Sequence, residues 1–217
     1  MRNFTTAAAA LAVLVFAATA PAAEAVSGDA AAGATKAATC IACHGTEGKS
    51  VDANGKAVNP EWPVLAGQNA TYLRQQLTSF RAGTRINVVM LPFVQNITDQ
   101  DIADLAAYFS TQTPAGGEAD PSFWEAGRAL YRGGDATRDI PACVACHGPV
   151  GHGNPAAGYP SLQAQHSVYT INQLNAYANG TRYVQQQTPN AQMMNTISAR
   201  LTAEERRSLA SYVQGIR

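Results

Sequence analysis

The residues of this chain whose types and spacing could carry out chemistry lie in one pentapeptide that occurs twice. Residues 40–44 read Cys-Ile-Ala-Cys-His, and residues 143–147 read Cys-Val-Ala-Cys-His. This C-x-x-C-H spacing is that of a c-type haem attachment site, in which two thiols form thioethers to one haem and the following imidazole binds its iron. The pattern predicts two covalently attached haem c groups. The thioether cysteines would be Cys40, Cys43, Cys143 and Cys146, and the iron ligands would be His44 and His147.

Two other kinds of site also use paired cysteines, a thioredoxin-like redox pair and a zinc site. A redox pair does not require a histidine directly after the second cysteine, and a zinc site would have to join two segments far apart in the sequence. The chain contains four cysteines, all of them in the two motifs. None is left for a disulfide or a metal cage, and we favour haem attachment.

The second axial ligand of each iron decides between electron transfer and catalysis. Methionine there gives a closed centre of raised potential, whereas an open position would admit a substrate. Met90, in a predicted loop before the last helix of the first half, is the only candidate in that half. Met90 precedes Ile97 by seven residues. Met194 precedes Leu201 by the same number, which favours Met194 over Met193 in the second half.

Two further histidines could compete for an iron. His152 lies in a glycine-rich loop directly after the second motif, too close in sequence to reach the far face of the haem. His166 stands where Asn69 stands in the first half, at the start of a predicted helix. We interpret both histidines as surface or capping residues.

A ligated imidazole normally donates its free N–H to a carbonyl, which fixes the ring. The repeated aromatic-proline pairs supply candidates, because the carbonyls of Pro63 and Pro160 lie in stiff turns. Arg85 and Arg182 end matching Gly-Thr-Arg segments. They could pair with haem propionates or lie solvated on the surface.

The surroundings of the two motifs repeat as well, which is the mark of tandem copies of one domain. Gln68 of the first copy aligns with Gln165 of the second, and the other matches are Gly33 with Gly127, Tyr72 with Tyr169, Gln76 with Gln173 and Tyr108 with Tyr212. Helical spacing dominates and no useful length alternates like a strand, so we predict an all-α fold. The domains are predicted at 26–112 and 122–217, joined by a Pro- and Gly-containing linker at 113–121.

Residues 1–25 have the features of a cleavable export signal. Arg2 supplies a positive charge, an apolar run covers 7–18, and 23–25 read Ala-Glu-Ala. A membrane anchor is the alternative, but about a dozen apolar residues are too few to span a bilayer. We expect export to the periplasm and a soluble mature chain, with peripheral membrane attachment left open. The formal net charge of zero argues against a nucleic-acid partner.

Taken together, the motifs resemble the dihaem cytochrome c4 family. The segments that carry the resemblance are Cys-Ile-Ala-Cys-His-Gly at 40–45, Thr-Asp-Gln-Asp-Ile-Ala-Asp-Leu-Ala-Ala-Tyr-Phe at 98–109, Cys-Val-Ala-Cys-His-Gly-Pro at 143–149, Tyr-Pro-Ser-Leu-Gln-Ala-Gln-His at 159–166 and Met-Met at 193–194. The resemblance implies two class I cytochrome c domains, His/Met ligation of both irons, and propionates that face each other across a roughly two-fold interface.

The resemblance also implies a function, that of a periplasmic electron carrier rather than an enzyme. Its expected partners are redox proteins such as a terminal oxidase, a quinol-cytochrome c reductase or a periplasmic dehydrogenase. One alternative is the cytochrome subunit of a flavocytochrome sulfide dehydrogenase-type complex. Another is a dihaem peroxidase or thiosulfate-oxidising enzyme, against which the in-register methionines and the lack of a spare cysteine both argue.

Overall fold

The computed structural model describes residues 26–183 and 188–216, so the predicted export signal at 1–25 lies outside the described residues. In the described part of the chain all regular structure is helical, and only isolated β-bridges occur besides. The ten α-helices are α1 Ala30–Lys36, α2 Ile41–His44, α3 Ala70–Arg81, α4 Leu91–Val94, α5 Asp99–Ser110, α6 Trp124–Gly133, α7 Val144–His147, α8 Ser167–Ala178, α9 Pro189–Arg200 and α10 Ala203–Gly215. None of these helices is long and apolar enough to cross a membrane.

Side-chain caps explain where the main helices begin. Asp29 accepts from the first backbone N–H groups of α1, which are otherwise without partners. Thr98 and Asp101 form a capping box at the start of α5. Thr202 and Glu205 form a second capping box at the start of α10. The last helix of each half therefore starts with the same device.

Each half builds its own apolar core, as the predicted repeat requires. The first core lies among α1, α3 and α5, and the second among α6, α8 and α10. The buried residues of the first are Ala37, Leu73, Leu105, Ala106 and Phe109. Those of the second are Tyr131, Ile140, Leu201, Leu209, Tyr212, Val213 and Ile216. No helix lies between Ser110 and Trp124, where the chain passes from one half to the other.

The first helix of each half crosses the last one at a glycine. A Cβ atom built on Gly33 in α1 would collide with the Asp104 carbonyl oxygen of α5. One built on Gly127 in α6 would collide with the Ser208 carbonyl oxygen of α10. Because these two glycines align in the repeat, the close crossing is a shared feature of both halves. It brings the segment ahead of each haem motif against the last helix of its own half.

The two halves differ around the predicted methionine ligands. Met90 does not lie in an open loop, because it is the N-cap of the one-turn helix α4. In the second half the three-turn helix α9 carries both Met193 and Met194. Pro92 is the second residue of α4 and Pro189 is the first residue of α9, and both lie in the first turn, where the missing N–H of proline costs no hydrogen bond within the helix.

Candidate haem sites

The first C-x-x-C-H motif folds into a single helical turn. The Cys40 carbonyl accepts from the backbone N–H groups of Cys43 at 3.2 Å and His44 at 2.8 Å. One turn of helix therefore holds two thiols and an imidazole close together. Gly45 follows with a φ of 70°, a left-handed conformation that favours glycine and lets the chain leave the helix at once.

The second motif repeats this geometry. The Cys143 carbonyl accepts from Cys146 at 3.2 Å and from His147 at 2.9 Å, and Gly148 has a φ of 79°. The four cysteines form no disulfide and are each partly buried. Within the described residues, no group of three or more His, Cys, Asp or Glu side chains is arranged to hold a metal ion.

Each motif histidine bonds to a proline carbonyl of its own half. His44 Nδ1 lies 2.9 Å from the Pro63 oxygen, and His147 Nδ1 lies 3.0 Å from the Pro160 oxygen. A carbonyl can only accept, so Nδ1 carries the proton in both rings. Nε2 is then the nitrogen with a free lone pair, which is the form that binds a metal.

Burial keeps both imidazoles in this neutral form. His44 and His147 are 7% and 8% exposed. Burial lowers the pKa of both rings, and the hydrogen bond to the proline carbonyl acts in the opposite sense without outweighing it. Paired free thiols and a neutral, oriented imidazole in each half are a donor set that fits haem c.

The structure places the candidate sixth ligands as follows. Met90 is half-buried, and its backbone N–H is held by the Asn87 side chain at 3.0 Å. Met194 is half-buried in α9, whereas Met193 in the same helix is 40% exposed. The half-buried position of Met194 agrees with the register argument, and the assignment stays a prediction.

The remaining histidines have different surroundings. His152 is exposed. His166 stands at the N-cap position of α8, but its side chain makes no capping hydrogen bond and is buried rather than on the surface. Its ring lies against the backbone of Ser50 in the other half, and its Nε2 has no hydrogen-bond partner. Burial lowers the pKa of His166, and the Ser50 backbone raises it less.

Arg85 and Arg182 are buried between the two halves, not solvated. Arg85 donates to Gln76 at 2.7 Å and, across the interface, to Tyr169 and Gln173 at 3.2 Å. Arg182 donates to Gln173 of its own half and, across the interface, to Gln76 and Tyr72. The matching residues of the repeat therefore interlock around two guanidinium groups.

Among the described residues, no carboxylate pairs with the two arginines of this interface cluster. Neither Arg85 nor Arg182 takes part in an ion pair within the described part of the chain, and the buried Nε of Arg182 has no partner. Burial alone would raise the pKa of Tyr169, but the two arginines outweigh it and the pKa is lowered. A buried pair of cations without carboxylates is an environment that fits anionic propionates.

Gln68 and Gln165, which the repeat aligns, belong to the interface as well, although their role was not predicted from the sequence. Both are buried and both bond to the backbone of the opposite half, Gln68 to Ser161 and Gln165 to Val64. A repeated polar residue beside each aromatic-proline turn was the available signal. What it bonds to depends on how the halves pack, which the repeat alone does not give.

Comparison with known proteins agrees with this duplicated geometry. The family model for cytochrome c matches residues 30–113 and again 124–217. Cytochrome c4 of Azotobacter vinelandii is 41% identical over 198 residues, covering 87% of this chain and 90% of that protein. A thiosulfate dehydrogenase electron acceptor of Stutzerimonas stutzeri (strain A1501) is 34% identical over 181 residues, covering 82% of this chain and 78% of that protein.

The solved structures agree as well. The crystal structure of reduced recombinant cytochrome c4 from Pseudomonas stutzeri superposes with a TM-score of 0.79 at 38% identity, covering 88% of this chain and all of that one. These matches confirm the predicted all-α fold, the two cytochrome c domains, the two haem c groups and an electron-transfer function rather than an enzymatic one. Each of the two cytochrome c domains has a motif histidine bonded to a proline carbonyl, and cytochrome c4 relatives match most of the sequence. The chain therefore belongs to the dihaem cytochrome c4 family.

Proposed function

We propose that this chain is a periplasmic carrier that moves single electrons between redox proteins through two closed, six-coordinate haems. His44 and Met90 bind the first iron, and His147 and Met194 bind the second. The haems supply the redox chemistry, while the protein supplies ligation, orientation and burial. The observation that carries the proposal is the pair of neutral imidazoles, each fixed by a proline carbonyl with Nε2 left free.

The proposal extends to the other residues of each haem site and to the domain bounds. Cys40 and Cys43 hold one haem, and Cys143 and Cys146 hold the other, in domains placed at 26–112 and 122–217. Arg85 and Arg182 bind propionates, because they are buried cations whose described surroundings provide no carboxylate.

The partners we propose are soluble or membrane-bound redox proteins of the periplasm. The export signal predicted at 1–25 supports this location, as does the periplasmic setting of c-type cytochromes. A terminal oxidase or a quinol-cytochrome c reductase fits the general role. A periplasmic dehydrogenase is a further candidate donor, supported by the 34% identical relative that is named for accepting electrons from thiosulfate dehydrogenase.

The test is the optical spectrum of the purified holoprotein, ferric and then ferrous with carbon monoxide added. We expect a ferric methionine–iron charge-transfer band of two-haem intensity and no spectral change with carbon monoxide, because both sixth positions are filled. A high-spin signal or a carbon monoxide complex at either haem would contradict the proposal for that domain. Assays with peroxide and sulfur substrates would then test the enzymatic alternative.

A further inference from the structure

The Gln165 side chain, in the C-terminal domain, contacts the turn at Pro63 and Val64 in the N-terminal domain. Its Oε1 accepts from the Val64 backbone N–H at 2.9 Å, and its Nε2 donates to the Val64 carbonyl at 3.0 Å. Its Oε1 also accepts from the backbone N–H of His166 at 3.0 Å. Two N–H donors at one end and a carbonyl at the other fix the orientation of the amide. The side chain is 8% exposed, so water does not replace these bonds.

Gln68 makes the equivalent contacts from the N-terminal domain to the C-terminal one. Its Oε1 accepts from the Ser161 backbone N–H at 2.8 Å, and its Nε2 donates to the Ser161 carbonyl at 2.8 Å. Its Oε1 also accepts from the N–H of Asn69 at 2.9 Å, and the side chain is 7% exposed. The two glutamines therefore form a reciprocal pair of contacts across the domain interface.

The peptide that Gln165 holds is the one that orients His44. The carbonyl of Pro63 and the N–H of Val64 belong to a single peptide unit, which is planar. The N–H end donates to Gln165, and the carbonyl end accepts from His44 Nδ1 at 2.9 Å. Fixing one end of a rigid plane fixes the other end.

This continuous chain of hydrogen bonds has an electronic consequence too. An acceptor at the N–H end of a peptide polarises its carbonyl and makes it a stronger acceptor. A stronger acceptor at Nδ1 raises the basicity of the imidazole toward a metal. In the other domain the same chain runs from Gln68 through the Pro160–Ser161 peptide to His147.

We propose that Gln165 is a positioning residue for His44 and that Gln68 is a positioning residue for His147. Each domain thus sets the axial imidazole of the other domain's haem. This inference rests on the proposed function, since it takes both histidines as iron ligands. Its consequence is that each haem has its native potential only when the two domains are docked.

The test compares Gln165→Met and Gln68→Met in the full-length holoprotein. The potential of each haem and the solvent exchange rate of each axial Nδ1 proton are measured by NMR, with signals assigned to their domains. For Gln165→Met we expect a raised potential and several-fold faster exchange at His44, with His147 unchanged. For Gln68→Met we expect the same two changes at the haem and ring of His147, with His44 unchanged. Each variant is thus the control for the other.

Tyr183→Phe is the interface control. It removes a hydroxyl that bonds to Gln76 of the other domain at 2.8 Å and touches neither proline turn. We expect both ring protons to exchange as in the wild type. A merely structural role of the glutamines would shift both haems together in every variant. Such a common shift would overturn the inference. So would a change confined to the mutated residue's own domain, or no change at all.

A rescue variant covers the case in which Gln165→Met does not fold. Gln165→Glu has the same shape, and its protonated carboxyl can both accept from and donate to Val64 as the amide does. The ionised carboxylate cannot donate, and its second oxygen repels the Val64 carbonyl and displaces the turn. We expect exchange at His44, relative to His147 in the same molecule, to fall toward the wild-type ratio as the pH is lowered. A ratio that does not respond to pH would contradict the inference. Failure of the proposed function is distinguishable, because the wild-type spectrum would already show an open iron.

Discussion

At the scale of single residues, a proline carbonyl decides which nitrogen of each axial histidine is free. The carbonyls of Pro63 and Pro160 accept a hydrogen bond from Nδ1 of His44 and His147, so Nδ1 keeps the proton and Nε2 is available for the iron. Burial lowers the pKa of both rings and favours the neutral form that ligation needs. Two elementary effects, one hydrogen bond and one desolvation, thus prepare each ring for the iron.

The assignment of Met194 leads to a prediction that separates it from its neighbour. Met194→Ala should open the second iron, remove about half of the ferric methionine–iron band and create one carbon monoxide site per molecule, because one of two equivalent ligands is lost. Met193→Ala is the matched control, and it should leave the spectrum unchanged since this side chain is 40% exposed. Titration with carbon monoxide and the ferric spectrum measure both. The opposite pattern would assign Met193.

The roles of residues at fixed spacing could be predicted well from the sequence, whereas the burial of individual side chains could not. The C-x-x-C-H motifs and the proline partners follow from local covalent spacing and from what an imidazole requires. Arg85 was equally compatible with a surface position, and His166 was expected to be a surface or capping residue. Both are buried because the opposite domain packs against each of them. The packing of two domains is not a local property of either sequence segment.

At the scale of helices, the close crossings at Gly33 and Gly127 determine how each first helix packs on the last helix of its half. The repeat aligned these glycines, but only the packing shows a backbone carbonyl where a side chain would stand. The capping boxes at Thr98 and Thr202 were easier to foresee from sequence, since a capping box depends on residues only three apart. The short helix α4 and the longer α9 were not predicted.

The crossing in the second domain can be tested with two substitutions in α6. Gly127→Ala should lower the free energy of unfolding by about 2 kcal/mol, because overpacking costs about 1–3 kcal/mol and the Ser208 carbonyl cannot rotate away. The better helix propensity of alanine returns at most about 1 kcal/mol. Gly133→Ala in the same helix meets nothing within 4 Å and should leave stability unchanged or slightly raised. Denaturant unfolding of the two holoproteins would measure this, and equal stabilities would refute the crossing.

At the scale of the whole molecule, the two domains share a buried, positively charged centre. Arg85 and Arg182 each bond to side chains of the opposite domain, and Gln76 accepts from both. The same interface carries the reciprocal glutamine contacts to the proline turns. The interface therefore does more than join two carriers, because its hydrogen bonds reach the proline turn that holds the histidine of each domain.

This shared charge predicts that one arginine influences both haems. Arg182→Met should lower both reduction potentials, since a nearby positive charge favours the form that has gained an electron. We expect a change on the order of 1 kcal/mol in the free energy of reduction, which is the interaction of two unit charges roughly 15 Å apart at an effective dielectric of about 20. Arg182→Lys keeps the charge and should restore most of the loss.

The matched control is Arg128→Met, which removes the same charge from an exposed side chain stacked over Trp124. Solvent and salt screen that position, so its potentials should stay close to the wild type. Potentiometric titration of the three holoproteins followed by optical spectra gives the comparison. If Arg182→Met changed the reduction potential of only one haem, the charge of Arg182 would act on that haem alone, which would contradict the prediction. Equal small shifts in Arg182→Met and Arg128→Met would mean that burial of the arginine at the interface has no electrostatic consequence for the haems.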